Sequence, residues 1–310
     1  TSPIYLIIAL GYGLARASLF DRAALGLMSR FVVTVAIPAL IFRTLHDKPV
    51  AAMFNATYTG AYLAATLALV ALAILAARRA GDTRVGAVLA AMGSACANSG
   101  FVGYPVLLLA IPNVAGPAWA LNMVIEVVFV TPLLLLLAER ARGGAGARAA
   151  AQALGRLLAT PMFLALPVAL AASALGLKPP APLAHAIDMM ANIAIGLSLF
   201  VIGGALAFVA LRGVAGRIAA ITFAKLALHP LFVAAAFLLA PHLGLPAMDK
   251  PMLAAGIVMA AMPSMSIYPV LAERYGEGDS AAAIMFATTV LSFVTLTALL
   301  WVFAALGWSG

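Results

Sequence analysis

Two polar, helix-breaking stretches lie inside otherwise apolar segments of this chain. Residues 97–105 read Ala-Asn-Ser-Gly-Phe-Val-Gly-Tyr-Pro, and residues 261–269 read Ala-Met-Pro-Ser-Met-Ser-Ile-Tyr-Pro. Glycine and proline disfavour a continuous helix. Within a bilayer, broken backbone persists only where protein or a water-filled cavity satisfies its free polar groups. Two breaks at matching places in the two halves of a chain indicate the binding site of a membrane transporter.

The chemistry of these stretches is that of two helix ends facing one place. Pro105 and Pro269 fit the first turn of a second half-helix, so we predict that residues 98–104 and 263–268 are unwound. Free N–H groups at helix N-termini attract anions, whereas free carbonyls at the opposite ends would coordinate a cation or polarise a proton donor. The candidate substrate-binding residues are Asn98, Ser99, Gly100, Tyr104, Pro105, Pro263, Ser264, Ser266 and Tyr268.

Plainer interpretations of both stretches remain open. Other apolar segments also contain prolines, so the two breaks could be ordinary proline kinks. The amide and hydroxyl side chains could only cap exposed backbone. The other prolines inside apolar segments are Pro38, Pro132, Pro167 and Pro230.

Two ionisable residues lie deep inside apolar segments. Glu126 is found in Leu-Asn-Met-Val-Ile-Glu-Val-Val-Phe-Val, and Lys225 in Ile-Thr-Phe-Ala-Lys-Leu-Ala-Leu-His-Pro. Charges at such depth are costly and are usually paired or functional. We expect that the two pair with each other, or that one of them gates coupling by taking a proton. Alternatively, Lys225 extends to the membrane surface, and Glu126 is a neutral, hydrogen-bonded acid without a transport role.

No metal or other cofactor is predicted. The four histidines, His46, His185, His229 and His242, show no metal-ligand spacing. The single cysteine, Cys96, excludes an internal disulfide. A Gly-rich phosphate loop followed by Lys-Ser/Thr is absent from the sequence, so ATP does not drive this chain directly. Proton and sodium both remain open as coupling ions.

The composition is that of an integral membrane protein. Of its 310 residues, 65% are hydrophobic and 9% are charged, and the mean hydropathy is +1.12. Soluble domains carry about 25% charged residues. A span needs about 20 apolar residues, so we predict an all-α fold of ten spans, and the opening residues indicate no signal peptide. The predicted spans are residues 3–18, 23–45, 57–77, 84–111, 117–138, 156–176, 184–208, 215–241, 250–274 and 280–307.

The distribution of cationic residues predicts the orientation. Loops after odd-numbered spans, with their flanks, hold thirteen of the 18 Lys and Arg residues, and loops after even-numbered spans hold four. Cationic loops stay in the cytoplasm, so both termini are expected outside the inner (cytoplasmic) membrane of the cell. The net charge of +8 is therefore a topology signal, and nucleic acid is not expected as a partner.

The two halves of the chain repeat. Tyr-Pro-Val-Leu occurs at residues 104–107 and 268–271, and Phe-Val-Thr at 129–131 and 293–295, both at an offset of 164. A unit of five spans is odd, so the second copy must be inverted in the membrane, and the breaks of the fourth and ninth spans should meet near mid-membrane. We predict a first repeat at residues 1–138, a Gly/Ala/Arg-rich cytoplasmic linker at 139–155 and a second repeat at 156–310.

Several short motifs spread over nearly the whole chain resemble one known family. They are residues 11–16 (Gly-Tyr-Gly-Leu-Ala-Arg), 29–33 (Ser-Arg-Phe-Val-Val), 37–42 (Ile-Pro-Ala-Leu-Ile-Phe), 97–105, Lys225-Leu226 with Pro230, 261–263 (Ala-Met-Pro) and 271–276 (Leu-Ala-Glu-Arg-Tyr-Gly). Together they are similar to the auxin efflux carrier family, in its bacterial branch that includes malonate carriers.

This resemblance implies an architecture and a mechanism. Spans 1, 2, 6 and 7 would form a scaffold that dimerises, and spans 3–5 and 8–10 a transport domain with crossed helices 4 and 9. A small organic anion would be carried by an elevator-like motion. The chain departs from plant carriers, because Asn98 is followed by Ser99-Gly100 instead of Pro-Asn. The resemblance implies a malonate-like or larger carboxylate as substrate, and this departure leaves its identity open, with indole-sized anions included.

Two other classes of protein compete with this interpretation. An anion channel would need a continuous polar path, but the polar residues concentrate at two breaks. An intramembrane enzyme would need a nucleophile and base, or metal ligands, clustered at one depth, and the sequence presents no such cluster. A secondary transporter, without enzymatic activity, is the prediction.

Overall fold

The structure, a computed structural model, describes residues 2–46, 55–143, 151–152, 155, 159–208 and 215–308. Within these residues the fold is all-helical, and the only β-type pairing is an isolated bridge between Ala97 and Ser264. We number the helices α1 (Ser2–Arg16), α2 (Arg22–Leu45), α3 (Ala56–Arg79), α4 (Arg84–Ala95), α5 (Ser99–Ala110), α6 (Pro112–Ala141), α7 (Pro161–Ala174), α8 (Ala181–Leu206), α9 (Ala215–Leu243), α10 (Lys250–Ala260), α11 (Tyr268–Glu273) and α12 (Gly278–Ala305).

Six of the described helices are long and apolar enough to cross a bilayer, namely α2, α3, α6, α8, α9 and α12. Large apolar side chains also face outward, such as Phe223 (60% exposed) and Trp301 (72% exposed). A surface of this kind suits lipid better than water. The prediction of an all-helical, multi-pass membrane protein is thus confirmed. The predicted linker lies mostly outside the described residues, as does the start of the predicted sixth span, and residues 139–141 belong to α6.

Four prolines in the described helices follow a widened turn. In α2, α5, α6 and α9, the N–H of the residue before proline bonds the carbonyl five residues back, as Thr131 does to Glu126 and His229 to Ala224. Proline has no N–H and its ring crowds the carbonyl four residues earlier, so a π-type turn accommodates it. The widened turns are Val32–Ala36, Ser99–Gly103, Ile125–Val130 and Ala224–Leu228.

Helices α1, α2, α7 and α8 pack on one another, with the most extensive contact between α1 and α8. A Cβ added to Gly11 would collide with the backbone oxygen of Phe200, and one added to Gly203 would collide with that of Ile8. In lipid, helices associate through close packing of small residues rather than through the hydrophobic effect. The two glycines therefore set the spacing of α1 and α8.

The other eight helices form a second packed group, in which α3 contacts α4 and α9, and α12 contacts α9 and α11. One end of this group is tied together by Arg217 of α9. Its guanidinium forms ion pairs with Asp82, just before α4, at 3.1 Å and with Glu277, just before α12, at 2.5 Å. It also donates to the carbonyl of Gly86. One side chain thus joins three segments that are distant in sequence.

Polar contacts between the two groups are few among the described residues. The hydroxyls of Thr44 and Tyr104 lie 2.9 Å apart, linking α2 to α5. Ser198 of α8 donates to the carbonyl of Phe101 at 3.2 Å. Tyr5 of α1 donates to the carbonyl of Ser292 in α12 at 3.3 Å. The two groups are joined by isolated hydrogen bonds rather than by an ion-pair network like that of Arg217.

Candidate functional site

The two helix breaks meet and bond to each other through their backbones. The N–H of Asn98 donates to the carbonyl of Pro263 at 2.8 Å, and the N–H of Met265 donates to that of Cys96 at 3.1 Å. These bonds form the short antiparallel bridge between the segments. The breaks between α4 and α5 and between α10 and α11 therefore form one crossover, buried within the protein.

The extent of the first break differs from the prediction. Only residues 96–98 leave the helix, and 99–103, predicted as unwound, form the widened turn before Pro105. The side chain of Asn98 caps this turn by accepting from the N–H of Phe101 at 3.3 Å, which lets the helix restart early. The second break is longer, from residue 261 to 267, and ends at Tyr268.

The crossover presents backbone N–H groups without partners. Within the described chain, the structure gives no hydrogen-bond acceptor to the N–H groups of Ser99, Gly100, Ser266 and Ile267. All four residues line the same cavity. Unpaired N–H groups at the start of a helix carry partial positive charge. The cavity wall is therefore suited to hold negative charge without a cationic side chain.

The cavity has a volume of about 320 Å³ and lies beside the crossover. It is enclosed by both breaks, by the middle of α6 and by one face of α2. Its described lining residues are Ser29, Val33, Ala97, Asn98, Ser99, Gly100, Phe101, Met123, Glu126, Val127, Thr131, Thr160, Met265, Ser266, Ile267 and Val270. The wall is largely apolar, with hydroxyls, one amide and one carboxyl group.

Glu126 is held against the first break by both of its carboxyl oxygens. Oε1 accepts the N–H of Ala97 at 2.8 Å, and Oε2 accepts the hydroxyl of Ser99 at 2.8 Å. The side chain is only 7% exposed. These two bonds fix the carboxyl group at the edge of the cavity.

Lys225 does not reach the membrane surface, and it does not form an ion pair with Glu126. It is fully buried, and its ammonium donates to the carbonyl of Ala260, at the C-terminal end of α10, and lies 2.9 Å from Nδ1 of His229. A cation at a helix C-terminus is favourable. The expected direct pair with Glu126 is therefore wrong, because each charge has other partners.

The contacts of His229 define which of its ring nitrogens donates a hydrogen bond and which accepts one. The hydroxyl of Thr66 donates to the carbonyl of Tyr62, so it accepts from Nε2 of the imidazole, at 3.1 Å. Nδ1 is then free to accept from Lys225. His229 was not singled out from the sequence, but its position four residues after Lys225 on a helix gives this contact directly.

The structure separates the nine candidate residues into two sets. Asn98, Ser99, Gly100 and Ser266 line the cavity, whereas Tyr104, Pro105, Pro263, Ser264 and Tyr268 do not. The hydroxyl of Ser264 donates to the carbonyl of Gly93 at 2.6 Å, and its N–H donates to Thr288. Tyr104 faces α2. Ser264 thus ties the second break to α4, while Tyr104 contacts α2 instead of the cavity.

Three polar residues of the wall were missed as site residues: Ser29, Thr131 and Thr160. Ser29 and Val33 are one helical turn apart, a spacing that places them on one face of α2. Thr131 follows Glu126 by five residues. In a regular helix, its side chain would therefore lie on a different face of the helix from that of Glu126. The widened turn of α6 brings Glu126 and Thr131 into the wall together, and Pro132, which follows that turn, is its signal in the sequence. Among the described residues, no group of three His, Cys, Asp or Glu side chains could hold a metal ion.

A helical membrane protein with a cavity where two broken helices meet has the architecture of a multi-pass transporter. A family model described as membrane transport protein matches residues 2–301, so the chain belongs to that family, the auxin efflux carriers. The chain is also 31% identical, over 96% of its length and 93% of the relative's, to a "Putative malonate transporter" of Rhizobium meliloti (strain 1021). Both comparisons identify a transporter rather than an enzyme.

Proposed function

We propose that this protein is a secondary transporter of a small organic anion, which binds in the cavity at the crossover. The observation that carries the proposal is the set of four unpaired N–H groups on one cavity wall. The amide nitrogen of Asn98 adds a donor, because it has no hydrogen-bond partner within the described chain. Such donors favour a carboxylate over a cation.

The shape of the cavity favours a small carboxylate. Its volume, about 320 Å³, lies near the lower end of ligand pockets, which run from about 300 to 1,000 Å³. Phe101, Met123 and Val270 provide apolar wall for a carbon skeleton. A malonate-like dicarboxylate fits this description, in line with the name of the relative from Rhizobium meliloti. Larger carboxylates, up to the size of an indole acid, would use the apolar side.

The grouping of the helices supports transport by an elevator-like motion. In our proposal, α1, α2, α7 and α8 form a scaffold that dimerises, and α3–α6 with α9–α12 form the moving domain. The cavity lies at the boundary, with Ser29 and Val33 on the scaffold side. The chain would comprise ten spans, with residues 1–138 and 156–310 as inverted repeats joined by the linker at 139–155.

The orientation that we propose places both termini outside the inner membrane. A second cavity of about 400 Å³ is lined by Arg22 and Asp279 and shares Ser29 with the first. Because Arg22 belongs to the cation-rich side of the chain, this opening would face the cytoplasm. Solute would pass along α2 between the two cavities.

The energy source would be an ion gradient, either of protons or of sodium, without a bound cofactor. Glu126 and Lys225 are the candidates for coupling or gating. Both contact the crossover backbone directly, at Ala97 and Ala260. A change of charge on either side chain would therefore act on the site itself.

A ligand screen on purified protein tests the proposal. Mono- and dicarboxylates are added with and without sodium at two pH values, and the melting temperature is measured. A ligand at about 100 times its Kd stabilises the folded state by about 2.7 kcal/mol, so malonate or a related acid should raise the melting temperature. Uptake into liposomes stimulated by internal solute would then identify a carrier. A shift with cations and none with carboxylates would reject the anion proposal.

A further inference from the structure

Glu126 is the one ionisable side chain among the described lining residues of the crossover cavity, and this wall contains no Lys, Arg or His. An anion that enters while Glu126 is ionised would bring two negative charges together. The site is largely removed from water, where charges interact more strongly than in bulk solvent. Ionised Glu126 thus opposes the solute that the unpaired N–H groups attract.

The hydrogen bonds of the Glu126 carboxyl group leave lone pairs free to take up a proton. Each carboxyl oxygen accepts one bond, from Ala97 or from Ser99, and each has a second lone pair. A protonated carboxyl group can keep both bonds and direct its O–H toward the cavity. One proton therefore changes the side chain from a repelling neighbour into a hydrogen-bond donor for the anion.

The other groups around Glu126 do not supply a positive charge to the cavity. They come from α3, α5, α6, α9 and the first break. The ammonium of Lys225 is the cation among them, but it is bonded to Ala260 and His229 and does not line the cavity. The titratable and polar groups facing Glu126 are Tyr58, Tyr62, Cys96, Ser99, Asn122 and Lys225.

We propose that Glu126 is the proton carrier of this transporter, so that each anion is bound and moved together with one proton. The inference rests on the proposed function and names its coupling ion. On the loading side, a proton from water forms an O–H bond with the Glu126 carboxylate as the anion binds. On the releasing side, that bond breaks and the proton returns to water as the anion leaves.

Calorimetry of malonate binding to the purified protein tests this proposal. Titrations at one pH in two buffers of different ionisation enthalpy count the protons taken up, at pH values where malonate is fully ionised. Above the pKa of the Glu126 carboxyl group, where the free carboxyl group is ionised, we expect about one proton per malonate and a Kd that rises roughly tenfold per pH unit. The sign follows from uptake, since binding that takes up a proton weakens as pH rises.

Two variants of α6 sharpen the test. Glu126→Gln should bind malonate without proton uptake and with a Kd that does not change with pH, because the amide is neutral throughout. Glu139→Gln is the matched control, since Glu139 lies near the end of the same helix and accepts from the hydroxyl of Tyr275 at 2.8 Å. This control should retain the wild-type proton count.

The outcomes separate this proposal from the proposed function. Malonate binding to the wild-type protein without proton uptake at any pH, and with a Kd that does not change with pH, would overturn the role of Glu126 and leave anion transport intact. Proton uptake that persists in Glu126→Gln would also overturn it. Absence of binding by any carboxylate would reject both proposals. If Glu126→Gln does not fold, the wild-type titrations in two buffers decide the question alone.

Discussion

At the scale of single residues, Lys225 holds the end of α10 in place. Its ammonium bonds the carbonyl of Ala260 and lies 2.9 Å from His229. Lys225→Met would keep the approximate size of the side chain and remove both bonds. Each buried group left unpaired costs about 1–3 kcal/mol, so we expect a loss of about 3 kcal/mol in the free energy of unfolding, measured by denaturation in detergent.

The control for this variant is Lys178→Met. Lys178 is exposed and lies between α7 and α8, and surface substitutions usually change stability by less than about 0.5 kcal/mol. Equal effects of the two variants would show that the buried contacts of Lys225 contribute no stability.

Asn98 has two roles that substitutions can separate. Its Oδ1 caps the turn that starts α5, and its amide nitrogen is open to the cavity. Asn98→Ala should lose about 1 kcal/mol of stability as well as anion affinity, whereas Asn98→Ser restores an N-cap and should lose affinity alone. Melting temperatures with and without malonate measure both quantities. Wild-type affinity in the serine variant would exclude the amide from the site.

At the scale of helices, the sequence predicted where a helix begins and ends better than which of its faces lines the cavity. Hydropathy placed the ends of α2 and α9 within two residues of those observed, because burial in lipid requires long apolar runs. The breaks were predicted from glycine, proline and polar residues together. The orientation of the side chains of Tyr104 and Thr131 was not predicted. Each residue follows a π-type turn, and such a turn shifts the helix face without changing the composition.

The packing of α1 on α8 gives a prediction at this scale. Gly203→Ala would place a methyl group against the carbonyl of Ile8, a backbone contact that cannot move aside. Overpacking typically costs about 1–3 kcal/mol, so we expect a loss of that size in the free energy of unfolding.

Gly196→Ala is the matched control for that change. Gly196 lies in the same helix, and nothing lies within 4 Å of a Cβ added there. Alanine is favoured over glycine inside a helix by about 1 kcal/mol, so this variant should be neutral or slightly stabilised. A similar loss in both variants would assign the effect to helix α8 itself rather than to its contact with α1.

At the scale of the whole molecule, the two helix groups must separate and slide if the elevator-like motion occurs. The contact between Thr44 and Tyr104 crosses their boundary. With cysteines at both positions, a short bifunctional thiol reagent should abolish transport in liposomes while malonate still raises the melting temperature. The native Cys96 is replaced by alanine in this background, because Thr44 and Tyr104 are also buried and burial alone does not distinguish Cys96 from them.

A cross-link within one group is the control. Arg43 of α2 donates to Asn192 of α8 at 2.6 Å, and both belong to the proposed scaffold. Cysteines at these positions, joined by the same reagent, should leave uptake unchanged. Full transport with the Thr44–Tyr104 cross-link in place would reject relative movement of the two groups.

The backbone bridge between residues 97 and 264 has an evolutionary consequence. In the proposed site, the solute's charge is held mainly by peptide N–H groups, which every amino acid except proline provides equally. Few side chains then remain to decide which acid is preferred. Relatives could exchange one cargo for another through substitutions at those few positions, while the frame that carries the cargo stays unchanged.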